Sequence, residues 1–142
     1  MTCPPYHNIE KYESSEYQLS DCDTYIDFCS RINVCGQNIQ RVLKPGGFCV
    51  WVCGDWRESG VYRTFHADCI SMFKDSGLLF HDLIVMENNS PFAALQMGKC
   101  ASKRYTSKVH EYILVFRKKG DLQPKSDKIK LKTTNNLEQF FD

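Results

Sequence analysis

The stretch Leu43–Trp56, LKPGGFCVWVCGDW, decides the fold of this chain. Its proline restrains the residue before it, and the two glycines that follow allow a sharp reversal of the backbone. The next six residues, FCVWVC at Phe48–Cys53, are almost all apolar, which is typical of a short strand covered on both faces. A polar turn, residues 54–60, follows directly. The stretch therefore predicts that a helix ends before the proline and that a buried strand begins after the glycines.

Upstream of this stretch, the spacing of apolar residues predicts a helix over Asp23–Leu43. Apolar side chains recur three or four residues apart, which places them on one face of a helix. Ser20 with Asp23 three residues later is a favourable N-cap arrangement. We expect the inward face of this helix to consist of Ile26, Cys29, Ile32, Cys35, Ile39 and Val42.

Downstream, the pattern predicts one more helix and two more strands. The helix is expected over Tyr62–Ser76, and the strands over Leu79–Met86 and Glu111–Arg117. Alternating helices and strands indicate an α/β sheet, which binds its ligands at the carboxyl ends of its strands. We expect the last two strands to form an antiparallel pair. The inward side chains of the helix would be Phe65, Cys69, Met72 and Phe73.

The length and composition predict one globular domain. A chain of 142 residues has room for one substantial core. We place this domain at residues 1–120 and a polar, lysine-rich tail at residues 121–142. No signal peptide precedes the domain, and no apolar run is long enough to span a membrane, so we expect a cytoplasmic protein without membrane contact.

Eight cysteines raise the question of disulfides or metal binding. No C-x-x-C pair occurs among them, and most occupy positions where a small core residue would fit. A cytosolic setting keeps thiols reduced. The pattern therefore favours cysteines as core residues over cysteines as metal ligands, and we expect no metal site.

The segment between the two last strands is long and basic. From Met86 to His110 the only acid is Glu87, and loops of this length in compact domains are usually functional or disordered. A locally basic segment can bind a polyanion even in a chain whose net charge is only +1. A solvated loop without a ligand is the alternative. The bases are Lys99, Lys103, Arg104 and Lys108.

A stiff aromatic turn opens the chain at Cys3-Pro4-Pro5-Tyr6. Each proline fixes φ and removes an N–H, which leaves backbone carbonyls in defined positions. A carbonyl can accept a hydrogen bond from an amino group, and the ring of Tyr6 can stack on a planar heterocycle such as an unpaired nucleobase. Alone, these residues fit an extended terminal segment or a proline-rich ligand better than a base-binding turn.

The chain resembles the S-adenosylmethionine-dependent methyltransferases that act on adenine N6 or cytosine N4 in DNA, most closely a phage and bacterial group with a TCPPY motif. The resemblance covers about residues 2–120 and keeps the family's order. It implies a partial Rossmann-like class I methyltransferase fold. The matching segments are Thr2-Cys3-Pro4-Pro5-Tyr6, Ile9-Glu10-Lys11-Tyr12, Leu43-Lys44-Pro45-Gly46-Gly47-Phe48, Val50-Trp51-Val52-Cys53-Gly54-Asp55-Trp56-Arg57, Gly60-Val61-Tyr62, Ser102-Lys103-Arg104 and His110-Glu111-Tyr112-Ile113-Leu114-Val115-Phe116-Arg117-Lys118.

The resemblance also implies roles for particular residues. The Pro4 carbonyl and Cys3 would orient an exocyclic amine, Pro5 would keep the turn rigid, and Tyr6 would stack on the base. Thr2 and Asp55 would contact S-adenosylmethionine. The implied partner is DNA, in a bacterial or phage-infected cell. Its phosphates would be held by Arg57, Lys99, Lys103, Arg104 and Lys108.

Two departures from the family pattern limit these expectations. Cys3 stands where Asp, Asn or Ser is usual, and a thiol is only a weak acceptor. The family's glycine-rich cofactor motif, which we expect upstream of the Pro-Pro-Tyr motif, has no counterpart in this sequence. The sequence therefore predicts the catalytic half of such an enzyme, completed by a further segment or a second chain.

Three alternatives remain open. Cytosine-C5 methyltransferases use a thiolate nucleophile, but Cys3 precedes the prolines and has no evident activating partner in the sequence. Release-factor glutamine methyltransferases use Asn-Pro-Pro-Tyr, but the basic segment fits nucleic acid better. An inactive remnant or a partner-dependent DNA-binding subunit is the third alternative.

Overall fold

The computed structural model describes residues 1–7, 9, 18–88 and 100–120. The predicted tail at 121–142, the basic residue Lys99 and most of Ile9-Glu10-Lys11-Tyr12 lie outside these described residues. The elements along the chain are a 3-10 helix (Leu19–Asp21), α1 (Tyr25–Val42), β1 (Phe48–Cys53), β2 (Trp56–Glu58), β3 (Val61–Arg63), α2 (Phe65–Asp75), β4 (Leu78–Glu87) and β5 (His110–Lys118).

Three strands form the main sheet, in the order β1-β5-β4, with antiparallel pairing throughout. The predicted antiparallel pair of final strands, β4 and β5, is therefore confirmed. Thr2 adds a parallel bridge to Trp51 at the edge of β1 that faces away from β5, with hydrogen bonds from Thr2 N to Val50 O (3.0 Å) and from Val52 N to Thr2 O (2.9 Å). The mixed α/β architecture predicted from the sequence is present.

The Pro-Gly-Gly turn connects α1 to β1 as predicted. Gly46 has φ +76°, a conformation that side chains other than glycine's rarely adopt. Gly46 N donates to Lys118 O (3.0 Å) and Lys118 N donates to Gly47 O (2.9 Å), so the turn is fastened to the end of β5. This fastening fixes where β1 starts.

The predicted inward face of α1 is confirmed at Ile32 and, partly buried, at Cys29, Cys35 and Ile39, but is wrong at its two ends. Phe28, Ile32 and Gly36 are the buried residues, whereas Ile26 is 76% exposed and Val42 is 66% exposed. Gly36 belongs to the core because a Cβ there would lie 2.7 Å from Phe73 Cδ1, so its missing side chain lets α2 approach.

The N-cap predicted for α1 at Ser20 is also wrong. Thr24 is the N-cap, and its hydroxyl oxygen accepts a hydrogen bond from Asp27 N at 3.1 Å. Ser20 instead lies in the preceding 3-10 helix. The same Ser/Thr-x-x-Asp spacing occurs four residues further on, which is why the sequence pattern misplaced the cap.

The helix predicted over Tyr62–Ser76 starts later, because its first residues belong to a hairpin. β2 and β3 pair through a two-residue loop in which Ser59 has φ +49° and Gly60 has φ +84°. Positive φ at both loop residues is typical of a type I′ hairpin turn. α2 therefore begins at Phe65, and Phe65, Cys69 and Phe73 are buried on it as predicted, with Met72 partly buried.

The core lies on one face of the sheet, between the strands and the two helices. Phe73 of α2 contacts Trp51 (ring centroids 4.8 Å apart) and Phe116 (4.9 Å), and all three are buried. The prediction that β1 is covered on both faces is wrong: Phe48 is 50% exposed. The opposite face of the sheet carries Phe48 together with Ile84, which is 49% exposed.

The cysteines mostly fill the core, as the sequence indicates. Each of them lies in the described part of the chain and is there as a thiol rather than in a disulfide. Burial raises the pKa of the Cys69 thiol, so that group stays protonated. Cys3 is exposed, whereas the buried cysteines are Cys22, Cys49, Cys53, Cys69 and Cys100. Within the described ranges, no helix is long and apolar enough to cross a membrane.

Candidate active site and nucleic-acid interface

The Thr2 bridge to β1 determines where the Pro-Pro-Tyr motif lies. The backbone at Thr2 runs parallel to β1. The residues that follow Thr2 therefore emerge at the carboxyl end of β1, where Gly54 also lies. The carboxyl ends of parallel strands lie at the same end of a sheet, and α/β proteins bind their ligands there. Here Pro4 is buried and Cys3 is exposed. The structure thus brings the motif and Gly54 together, as the sequence indicates.

The Tyr6 ring packs against the core. Its ring lies 5.9 Å from that of Trp56 at an angle of 83°, and a Cβ on Gly54 would lie 3.2 Å from its hydroxyl oxygen. Burial raises the pKa of the Tyr6 phenol, with Glu111 adding to the effect, so the hydroxyl remains neutral. The residue as a whole is partly exposed. The near-perpendicular contact with Trp56 leaves at least one flat face of the Tyr6 ring outside that pair.

His7 anchors the end of the motif, and sequence reasoning missed it. The residue is buried, its Nε2 lies 3.0 Å from Cys22 O, and its ring lies 5.4 Å from that of Phe28. A buried polar ring bound to backbone fixes the direction in which the chain leaves Tyr6. The signal available in the sequence was only the adjacency of a histidine to the motif.

Asp55 is the centre of a buried hydrogen-bond network. The residue is 2% exposed, and its Oδ1 accepts from the His66 backbone N at 3.1 Å. His66 Nδ1 lies 2.8 Å from Oδ1, and the Tyr62 hydroxyl donates to Oδ2 at 3.2 Å. Thr64, the N-cap of α2, makes no side-chain cap bond within the described helix. Asp55 therefore performs the capping of α2 from a neighbouring turn.

Lys108 reaches towards the same turn rather than away from the protein. Its Nζ donates to the Asp55 carbonyl oxygen at 2.5 Å, and a Cβ on Gly54 would overlap it. Burial lowers the pKa of the Lys108 ammonium. Gly54 therefore permits the close approach of both Lys108 and Tyr6, and the ammonium lies beside the candidate site.

A cleft with aromatic and basic walls opens next to the motif; we call it the Arg57 cleft. It has a volume of about 450 Å³, and Trp56, whose ring also contacts Tyr6, lines it. The Arg57 guanidinium carbon lies 5.1 Å from the ring centre of Tyr62 and 5.0 Å from that of Tyr105. The cleft is lined by Trp56, Arg57, Tyr62, Lys103, Tyr105 and Lys108, among others.

A second depression continues from the Arg57 cleft. It has a volume of about 500 Å³, and Arg104 lines it together with Arg57, Lys103 and Tyr105. Three of the five predicted phosphate contacts therefore surround one continuous surface, with Lys108 at its inner end and Lys99 outside the described residues.

Sequence reasoning missed Tyr62 and Tyr105, which hold Arg57 in place. Tyr62 lies opposite Arg57 in the β2–β3 hairpin, a pairing that the Ser59-Gly60 loop could have indicated. Tyr105 comes from the segment before β5, and no local pattern predicts its meeting with Arg57.

The described residues do not by themselves form a complete binding site for S-adenosylmethionine. The backbone N and O of Thr2 both pair with β1, and both carboxylate oxygens of Asp55 accept hydrogen bonds from His66 or Tyr62. Neither residue offers the acceptor pair that a ribose requires. Their predicted cofactor contacts therefore depend on groups from outside the described residues.

Comparison with known proteins gives the class of this chain. A methyltransferase architecture follows from its similarity to the DNA modification methylase TTHA0409 of Thermus thermophilus in complex with S-adenosyl-L-methionine: TM-score 0.56, 24% identity, covering 83% of this chain and 44% of that one. A model of the N6/N4 DNA methylase family matches residues 1–140. The chain belongs to this DNA methylase family.

Curated relatives agree with this assignment. The Type II methyltransferase M.MthZI of Methanothermobacter thermautotrophicus is 28% identical over 146 aligned positions, covering 89% of this chain and 41% of the relative. The orphan methyltransferase M.BamHII of Bacillus amyloliquefaciens is 25% identical, covering 83% of this chain and 37% of the relative. The chain thus spans about two fifths of the length of these relatives.

Proposed function

We propose that this chain acts in the transfer of a methyl group from S-adenosylmethionine to an exocyclic amino group of adenine or cytosine in DNA. The observation that carries the proposal is the meeting of the Cys3–Tyr6 turn with Gly54 at one sheet edge, beside a cleft that holds Arg57. The setting would be the cytoplasm of a bacterial or phage-infected cell.

The Pro-Pro-Tyr turn would activate the amine by position and polarity. The nitrogen lone pair of such an amine is delocalised into the base, so the nitrogen is a poor nucleophile. The Pro4 carbonyl, with Cys3 as a weaker acceptor, would draw its hydrogens out of the ring plane and favour a tetrahedral nitrogen. Pro5 would keep the carbonyl in place, and Tyr6 would stack on the base.

The basic residues would hold the phosphates of the strand that presents this base. Arg57, Lys103 and Arg104 line the continuous surface next to the motif, and Lys108 lies at its inner end. Lys99 would extend the same contact. Because counterions are released when lysine and arginine neutralise phosphates, the affinity for DNA should fall as salt rises.

The cofactor would supply the electrophilic methyl group. Thr2 would contribute to its binding through its hydroxyl, and Asp55 by holding Tyr62 and Lys108 in place. A glycine-rich segment, in the same polypeptide or in a second chain, would supply the remaining contacts. The support is that the chain spans about two fifths of the relatives' length and lacks a D-P-F-x-G-x-G motif.

The test is mass spectrometry of nucleosides from DNA that has been incubated with deuterated-methyl S-adenosylmethionine and this chain, with and without the glycine-rich segment. We expect labelled N6-methyladenine or N4-methylcytosine when the segment is present. Tyr6→Ala should lower the label at least tenfold, because the base loses its stacking surface, while Tyr6→Phe should retain most of it. Circular dichroism checks that both variants fold.

Labelled 5-methylcytosine would contradict the amine chemistry, and full turnover by Tyr6→Ala would remove the stacking role. The second candidate function is DNA binding without catalysis, in a subunit that depends on a partner. It would be supported if DNA bound with normal salt dependence while no labelled nucleoside formed under any combination.

A further inference from the structure

We propose that the Arg57 cleft holds an unpaired base of the bound strand, with the Tyr105 ring as its stacking surface. This inference rests on the proposed function to the extent that the ligand is DNA. It adds a contact to a base, where the basic residues alone would give contacts to phosphates only.

The Arg57 side chain is already fixed in position before any ligand binds. Its guanidinium carbon lies about equally far from the rings of Tyr62 and Tyr105, at 5.1 and 5.0 Å. The Tyr62 hydroxyl is itself bound to the buried Asp55. A guanidinium fixed between two rings loses little conformational entropy when it binds a phosphate, and its planar edge can make two parallel hydrogen bonds.

The size and the lining of the cleft fit a base as well as a phosphate. A volume of about 450 Å³ is far more than one phosphate group requires. The lining includes three rings (Trp56, Tyr62 and Tyr105) and three cations (Arg57, Lys103 and Lys108), beside the smaller residues Cys100, Ser102 and Thr106. Aromatic faces beside cations are the combination that binds single-stranded nucleic acid, because bases stack on the rings and phosphates pair with the charges.

A base that occupies the Arg57 cleft must be unpaired. The faces of a base in a duplex are covered by its neighbours, so only a base that has left the stack can lie against a protein ring. Trp56 lines the cleft and also contacts the ring of Tyr6, so the cleft adjoins the motif. DNA that delivers one base to Tyr6 is already unstacked at that point, which makes an unpaired base available here.

The cofactor is a poorer occupant of the same cleft. S-adenosylmethionine carries a sulfonium cation, and the lining includes three basic side chains, Arg57, Lys103 and Lys108. An anionic ligand satisfies these charges, whereas a sulfonium adds to their repulsion.

The experiment compares two oligonucleotides by fluorescence anisotropy: an eight-nucleotide oligothymidylate, and an eight-unit abasic strand with the same phosphates. We expect the oligothymidylate to bind at least fivefold more tightly, since stacking contributes about 1–3 kcal/mol per base. Tyr105→Leu should lower this ratio severalfold, and the remaining preference would come from the base that stacks on Tyr6. The matched control Lys103→Gln should weaken both ligands alike and leave the ratio unchanged, because it removes a phosphate contact only.

A second measurement needs no variant. Quenching of tryptophan fluorescence by the oligothymidylate but not by the abasic strand is expected from a base stacked on Tyr105, because Trp56 lines the same cleft. Equal affinity for the two strands, an unchanged ratio in a folded Tyr105→Leu variant, or displacement of the oligothymidylate by S-adenosylmethionine would overturn the inference. A salt-dependent affinity for both strands in those cases would leave the proposed function standing, whereas failure to bind either strand would count against DNA as the partner.

Discussion

Asp55 joins three parts of the candidate site through one carboxylate and one carbonyl. The carboxylate binds His66 and Tyr62, and the carbonyl accepts from Lys108. His66 in turn stacks on Tyr112, with ring centroids 4.0 Å apart. The residue therefore positions the start of α2 and the inner end of the Arg57 cleft together, whatever contact it also makes with a cofactor.

We expect Asp55→Asn to lower the free energy of unfolding by about 1–3 kcal/mol, the usual cost of leaving buried partners imperfectly bonded. An amide keeps the shape of the carboxylate but turns one acceptor into a donor that faces His66 Nδ1 or the Tyr62 hydroxyl. Urea unfolding followed by circular dichroism measures the change. The control is Asp75→Asn, at an exposed acid on α2, which should alter stability by less than about 0.5 kcal/mol. Equal effects of the two variants would show that the network contributes little.

At the scale of elements, the contact between α1 and α2 depends on a missing side chain. Gly36 is buried on α1, and a Cβ there would lie 2.7 and 2.9 Å from two carbons of the Phe73 ring. A glycine inside a helix is unfavourable for the helix alone by about 1 kcal/mol relative to alanine. The close approach of the two helices outweighs that preference.

Gly36→Ala should therefore destabilise the protein by about 1–3 kcal/mol, although alanine is the better helix former. The added methyl group must push against the Phe73 ring, which the core holds on the other side through Trp51 and Phe116. Thermal unfolding measures the effect. Gln37→Ala, at the next and exposed position of α1, should be neutral or slightly stabilising. A gain in stability from Gly36→Ala would show that the helices can separate at no cost.

The sequence predicted those elements that a strong local signal encodes. The apolar run and the Pro-Gly-Gly turn determined β1 to the residue, since few other structures accept six apolar residues after such a reversal. Most of the α1 face was predicted, but Gly36 was missed because it contributes to the core through its absence of a side chain, which no scale of hydrophobicity registers. The β2–β3 hairpin was missed because Tyr62 also fits the helical spacing of α2 and residues 54–60 match a polar turn.

For the candidate site, the motif and the basic residues could be predicted but their supports could not. Asp55 and Arg57 follow a buried strand, so their position at the end of the sheet could be predicted. Their partners His66, Tyr62 and Tyr105 depend on how α2, the hairpin and the segment before β5 approach one another. Such contacts arise from tertiary packing, which a single sequence does not display.

At the scale of the whole molecule, the helices cover one face of the described sheet over β1 and β5, while the other face is open and β4 is exposed beyond Leu78. α1 and α2 pack on the face that carries Trp51, Leu114 and Phe116. On the other face, Phe48 and Ile84 are about half exposed. Contiguous apolar surface of this kind favours association with other apolar surface.

We expect the isolated chain to self-associate with rising concentration, and Ile84→Lys to reduce this association while changing stability little, because Ile84 is already 49% exposed. Sedimentation velocity over a range of concentrations measures the effect. Val34→Lys is the matched control: Val34 is 52% exposed but lies on α1, away from the open face, so this change should leave association unaltered. Identical sedimentation of all three proteins would mean that the open face does not drive association.

One tyrosine constrains how this site can evolve. The hydroxyl of Tyr62 belongs to the Asp55 network and its ring belongs to the Arg57 pair, so almost any exchange at position 62 disturbs both at once. Only phenylalanine separates the two duties, since it keeps the ring and discards the oxygen. An exchange to phenylalanine at position 62 is therefore the simplest change that alters the Asp55 network while leaving the ring contact with Arg57.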